Sequence, residues 1–228
     1  MSKKIIIDLH IHSSDSNLSG SNISKFTDLQ MLEKLHKNYV KVACFADHYE
    51  LFVDNFYKRV DLIANHKVID IVLLPGCEID LASLSKQSKG QAVIVFDPNQ
   101  DLYAIAKIVK DNFSRANNKW LTYKQACELF NNFEYMIFPH SGKGQDNMVA
   151  EDLLDSNVHG LDSTSLKSPN LKKIRKVIQA PIVCFSDTHD WKKYPFDNTK
   201  YQTWVEAEPT FKSIKEALMN NKTGITGV

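Results

Sequence analysis

Short apolar runs of four to seven residues alternate along the chain with longer segments in which apolar positions recur every third or fourth residue. The runs cover residues 3–7, 40–46, 68–74, 91–96, 134–138, 159–162, 181–186 and 203–207. Their Ile and Val content predicts strands buried on both faces. The periodic segments cover 26–39, 51–66, 101–113, 122–133, 171–179 and 210–221; in the first, Phe26, Leu29, Leu32 and Leu35 share one helical face. Strand and helix patterns alternating in this way predict an α/β fold, a closed or nearly closed barrel, with an open doubly wound sheet as the alternative. Residues 83–91 read as a surface turn between strands and 191–202 as a long loop.

Composition narrows this picture only a little. At 228 residues and 43% hydrophobic, the chain can bury one sizeable core. No linker rich in Pro, Gly and Ser divides it, so residues 1–228 are expected to form a single domain. A formal net charge of +1 supplies no overall basic field, which leaves the partner open. Cys44, Cys77, Cys127 and Cys184 lack CxxC spacing and read as reduced core residues. The first apolar run is too short for a signal peptide, and nowhere do about eighteen apolar residues run together. The expectation is a soluble, cytoplasmic protein with no membrane partner.

The candidate chemistry lies at the ends of the strand patterns. His10 and His12 follow the first run, His48 the second, Glu78 the third, His140 and Lys143 the run 134–138, and Asp187 and His189 the run 181–186. This is the rim where parallel barrels and sheets build active sites. In extended backbone the imidazoles of His10 and His12 lean the same way and can reach one ion. His, Asp and Glu without thiolates suit Zn²⁺, Mn²⁺ or Fe²⁺ and argue against a zinc finger. The set is too large for one ion, so two or three clustered ions are expected. Such clusters lower the pKa of a coordinated water, polarise a phosphoryl oxygen and stabilise a leaving oxygen, which suits phosphate ester hydrolysis. Asp15 is a further candidate ligand, although "SSDSN" is also turn-forming. Lys143 lies between two glycines, where its ammonium could offset a phosphate's charge, or simply decorate a surface loop. His36 and His66 read as helix-end residues, and His159 as structural. Trp191, Tyr194 and Phe196 read as packing over the site's mouth, with base stacking as the alternative.

These motifs resemble those of the PHP (polymerase and histidinol phosphatase) family: "DLHIHSSDS", "FADHYE", "LLPGCEID", "FPHSGKG" and "CFSDTHD" occur in the family's order between residues 8 and 190. The resemblance implies a distorted (β/α)7 TIM-like barrel with two or three Mn, Zn or Fe ions. It implies that His10, His12, Glu78 and Asp187 hold one ion, that Glu78 bridges to a second bound by His140, and that His48 and His189 hold a third. Two departures stand out. Where the family often supplies a further Asp or His after HxH, this chain has Asn17 and Leu18, with Asp15 nearer. No histidine occurs from 67 to 139, where Asp97 is the candidate substitute.

The tail, "SDTHDWKKYPFDNTKYQTWVEAEPTFKSIKEAL", resembles PHP modules that precede SMC- or AAA-like ATPase domains in nucleic-acid processing and, in some cases, phage defence. The leading expectation is therefore a metal-dependent nuclease hydrolysing DNA or RNA phosphodiesters with an ATPase partner. A small-molecule phosphomonoesterase and a non-catalytic metal-binding assembly module are the alternatives. An amidohydrolase is the competitor at the level of fold, and the "PGCE" and "SDTHD" pair favours PHP.

Overall fold

The computed structural model describes residues 3–19, 22, 23 and 25–227. Among these, the strands are β1 (Lys4–Ile11), β2 (Val40–Phe45), β3 (Val72–Leu73), β4 (Gly76–Ala82), β5 (Lys89–Phe96), β6 (Tyr135–Gly142), β7 (Leu161–Ser163), β8 (Ile182–Val183), β9 (Tyr201–Glu206) and β10 (Thr223–Gly227). The α-helices are α1 (Asp28–Lys37), α2 (Val53–Ala64), α3 (Leu102–Phe113), α4 (Tyr123–Leu129), α5 (Pro169–Ile174) and α6 (Phe211–Met219). Several helices begin where the sequence supplies a cap: Thr27 with Gln30 and Thr122 with Gln125 form capping boxes that satisfy the first free N–H groups. No described helix is long and apolar enough to cross a membrane.

The strands form two mixed five-stranded sheets, ordered β10-β9-β1-β2-β3 and β4-β5-β6-β7-β8. This corrects the expectation of a TIM-like barrel. β1, β2 and β3 are parallel, as are β6, β7 and β8. In contrast, β9 runs antiparallel to β1 and β10, and β5 antiparallel to β4 and β6. A parallel barrel needs a crossover after every strand, whereas the short connection at 83–88 can return only an antiparallel strand. Single bridges, Ile11 with Thr188 and His48 with Glu78, join the sheets where a barrel would have continuous ladders.

The path from β3 to β4 makes this seam. Val72 and Leu73 pair with β2, the Leu74 N–H donates to the Ala43 carbonyl, and the Glu78 N–H donates to the Asp47 carbonyl. Between them the chain leaves one sheet and enters the other. Gly76 permits the crossing: a Cβ there would lie 2.5 Å from the Ile94 carbonyl oxygen and 2.6 Å from Cys44 Sγ. The strand it opens is not apparent in the hydrophobic pattern, because Glu78 and Asp80 are polar yet buried among Cys77, Ile79 and Leu81.

Both sheets contribute to one apolar cluster, in which Ile7, Leu9, Val42 and Cys44 meet Val93, Val95, Met136 and Phe138, with Phe211, Ile214 and Leu218 of α6 packed against them. A larger cluster packs other strand residues against α1 to α5. All four cysteines are buried and unbridged. His159 exchanges hydrogen bonds with the Ile137 backbone, its Nδ1 accepting at 3.1 Å, and burial pushes its pKa down to about 4, so it is a neutral structural residue.

Gly76→Ala is expected to destabilise the protein by roughly 1–3 kcal/mol, because the methyl meets a backbone oxygen that cannot swing aside. Gly144→Ala, whose Cβ would meet nothing within 4 Å, is expected to stay within about 0.5 kcal/mol of the parent. Urea unfolding of the two variants checks the contrast; equal stabilities would contradict it.

Candidate metal centre

Carboxyl ends of five strands and the start of β4 converge on the seam. β1 brings His10 and, just past its end, His12; the segment after β2 brings Asp47 and His48; β4 brings Glu78. β6 brings His140, with Lys143 immediately beyond it, β7 brings Asp162, and the segment after β8 brings Asp187 and His189. The β1/β2 pairing slips between Asp8 and Ile11, and the β6/β7 pairing between His140 and Gly142. Such irregularities re-aim side chains, and here they fall at two of the histidines. Asp187 itself has φ 49°, a left-handed conformation that Asp tolerates better than most residues.

Glu78 is the hub. One of its oxygens, Oε1, lies 3.0 Å from His140 Nε2 and 3.5 Å from His10 Nε2; the other, Oε2, lies 2.6 Å from His48 Nδ1 and 3.7 Å from His12 Nε2. The Nε2 atoms of His10 and His12 are 3.2 Å apart, and Asp187 Oδ1 lies 3.5 Å from the first and 3.3 Å from the second. His189 Nε2 stands 3.4 Å from His48 Nε2. Three groups have ligand atoms close enough to share an ion: His10, His12 and Glu78; His12, His48 and His189; and His10, His140 and Asp162.

The donor set fits divalent cations. Imidazole nitrogens and carboxylate oxygens face one another across the cluster. Buried Nδ1 of His140 and Oδ1 of Asp162 have no hydrogen-bond partner, which is costly unless something else satisfies them. Burial, with the Lys143 ammonium beside it, lowers the pKa of His10; burial and the neighbouring His48 hold His12 well below the usual imidazole range. Both are thus poised as neutral ligands. Burial opposes ionisation of Glu78, but His48 and His10 outweigh it and hold the carboxyl well below its ordinary range. For Asp187, Lys143 and His10 overcome burial in the same direction.

A second layer fixes these ligands. Asp162 Oδ2 lies 2.9 Å from His10 Nδ1 and favours the tautomer whose Nε2 is free to coordinate. Asp47 accepts from the Ser13 N–H and hydroxyl, at 2.7 Å each, and from the Ser16 hydroxyl at 2.6 Å, tying the loop after β1 to the loop after β2. Trp191 is fully buried and donates from Nε1 to the His12 carbonyl at 2.8 Å, while the Tyr194 hydroxyl donates to Asp8 at 3.1 Å. These two aromatics are therefore core residues that support the backbone around His12 and Asp8 and do not line the cleft, and Phe196 is exposed.

The structure thus brings together His10, His12, His48, Glu78, His140, Lys143, Asp187 and His189. Asp15 is elsewhere: it accepts from Arg59 Nη2 at 2.6 Å, on the far side of Ser13. Asp97 is at the opposite end of the sheet, where it accepts from the Asn99 N–H, because β5 is antiparallel and its carboxyl end points away from the cluster. Asp162 and Asp47 are the residues that the motifs did not single out. Asp162 closes the predicted run 159–162, so the strand-end rule that selected the other ligands applies to it too. Of the clustered side chains, His48, Glu78, His140, Lys143, Asp187 and His189 line a cleft of about 600 Å³ whose other walls include Tyr49, Lys89, Gln91 and Asn198.

No family model and no curated protein sequence matches the chain. Solved structures do share its fold. A lesion-specific endonuclease from Pyrococcus furiosus superposes with a TM-score of 0.67 at 16% identity, over 98% of this chain and 58% of that one. Endonuclease Q in complex with a 27-mer duplex substrate carrying an abasic lesion at the active site gives 0.66 at 15% identity, over 96% and 57%. The chain spans a little over half the length of these proteins, and at such identity the likeness is one of fold.

Asp162→Asn keeps the shape but removes the charge that orients His10. Mn²⁺ affinity, followed by calorimetry on protein shown to be folded, is expected to fall roughly 10- to 100-fold. An unchanged affinity would show that Asp162 does not set the His10 tautomer.

Proposed function

We propose that the chain is a metal-dependent phosphodiesterase that cleaves DNA strands. The observation that carries this reading is the overlap of ligand groups: His10 and His12 each belong to two of the three sets, so ions held there would be neighbours. Neighbouring divalent ions supply Lewis acidity and an activated water, the chemistry of phosphodiester hydrolysis. His10, His12, Glu78 and Asp187 would hold one ion, and His48 with His189, next to His12, a second. Asp162 and Asp47 would keep the ligands oriented.

The fold likeness to endonuclease Q supports a nucleic acid substrate, since that protein was captured with a DNA duplex. It also agrees with the PHP-like fold that the motifs imply. An ATPase partner and a defence role rest on the resemblance of the tail alone.

The test incubates Mn²⁺-loaded protein with end-labelled single- and double-stranded DNA, intact or carrying one abasic site, with RNA and a phosphomonoester in parallel. Strand cleavage is expected on DNA and should fall at least about 100-fold in His12→Ala, which loses a ligand shared by two ion sites. Turnover of the monoester alone would favour a phosphatase, and turnover of nothing would favour a non-catalytic metal-binding module.

A further inference from the structure

The third ligand group, His10, His140 and Asp162, differs from the others in already holding a cation. Lys143 is 6% exposed, and its Nζ lies 3.0 Å from Asp162 Oδ2, 3.0 Å from Asp187 Oδ2 and 3.1 Å from His10 Nδ1. Two of the three members of that group are thus in contact with an ammonium. The other two groups contain no atom that touches Lys143 except through His10, whose opposite nitrogen faces Glu78 and His12.

Backbone features hold the ammonium in place. The Lys143 N–H donates to Asn147 Oδ1 at 2.9 Å, and Asn147 Nδ2 donates back to the Lys143 carbonyl at 2.6 Å, so one amide clamps the residue from both sides. Gly142 brings β6 against β7: a Cβ there would lie 2.0 Å from Ser163 Oγ. That close approach sets Lys143 and Asp162 side by side. A long flexible side chain is in this way given a fixed position, with its charge neutralised from two directions.

We propose that Lys143 is a built-in cation of the metal centre, standing where a third divalent ion would otherwise bind, so that the centre takes two ions. This rests on the metal-centre reading and refines it. A dication among His10, His140 and Asp162 would share His10 and Asp162 with the ammonium, and the repulsion between like charges a few ångströms apart inside the protein disfavours both being present. Charge counting agrees. The carboxylates Glu78, Asp162 and Asp187 outnumber the ammonium by two, a deficit that two divalent ions overturn into a positive centre suited to a phosphodiester. An ammonium also differs from an ion in that it cannot be stripped by a chelator.

The experiment counts metal per chain by elemental analysis after Mn²⁺ loading and desalting, in the parent protein, Lys143→Met, Lys143→Gln and Lys143→Arg, each checked for folding by circular dichroism. Two equivalents are expected in the parent and in Lys143→Arg, which keeps the charge. One further equivalent is expected in Lys143→Met and Lys143→Gln, with anomalous scattering beside Asp162. Three equivalents in the parent, or the same nonzero count in parent and neutral variants, would overturn the inference while leaving the metal centre intact. No metal in any of them would overturn the metal-centre reading itself. The count in the parent stands as a test even if the neutral variants fail to fold.

Discussion

Glu78 is a carboxylate only 2% exposed, and keeping its charge inside the protein demands partners from distant parts of the chain. His48 comes from the end of β2, His10 from β1 and His140 from β6, so the surroundings of this one side chain draw on both sheets. The seam between the sheets is accordingly not closed by strand pairing. It is bridged by single residue pairs and by polar side chains around Glu78. Buried carboxylates and imidazoles packed this tightly are expensive, and the unsatisfied His140 Nδ1 and Asp162 Oδ1 show that the protein's own hydrogen bonds do not cover the whole cost. Divalent ions are what such a donor set could hold.

The layers around the hub divide the work. Apolar packing between the sheets and α6 fixes the strands, and the glycine crossing at Gly76 delivers Glu78 to the seam. Asp47 and its serines lock the two loops that carry His12 and His48, and Arg59, buried against Asp15, Asp28 and Ser13, braces that lock from behind. Toward the cleft the character changes. His48, Asp187 and His189 are partly exposed, so the cluster meets solvent on this side.

Much of the cluster was legible in the sequence because the side chains that meet at the seam stand at strand ends, and strand ends are visible as the end of an apolar run. His10, His12, His48, His140, Asp187 and His189 were all found by that rule. The same rule selected Glu78 as following the run 68–74, although it lies inside β4, a strand whose alternate polar residues are buried and so leave no apolar run. The barrel expectation failed for a related reason. A strand such as β5, apolar on both faces, looks the same in sequence whether it runs parallel or antiparallel, and only the short 83–88 connection held the information. That same reversal moved Asp97 away from the ligands. Asp15 was misleading because a charged residue near HxH can serve a buried arginine as readily as a metal, and Arg59 lies 44 positions further along the chain.

The most direct measurement is thermal unfolding of the chelator-treated protein with increasing Mn²⁺, beside His12→Ala. If the seam is completed by ions, the midpoint rises continuously with metal concentration, by the equivalent of about 2.7 kcal/mol once free Mn²⁺ reaches roughly 100 times its Kd, and the variant shows a much smaller rise. A midpoint in the parent protein that does not move with Mn²⁺, Zn²⁺ or Fe²⁺ would contradict the account, because the buried ligands around Glu78 would then be stable as they stand.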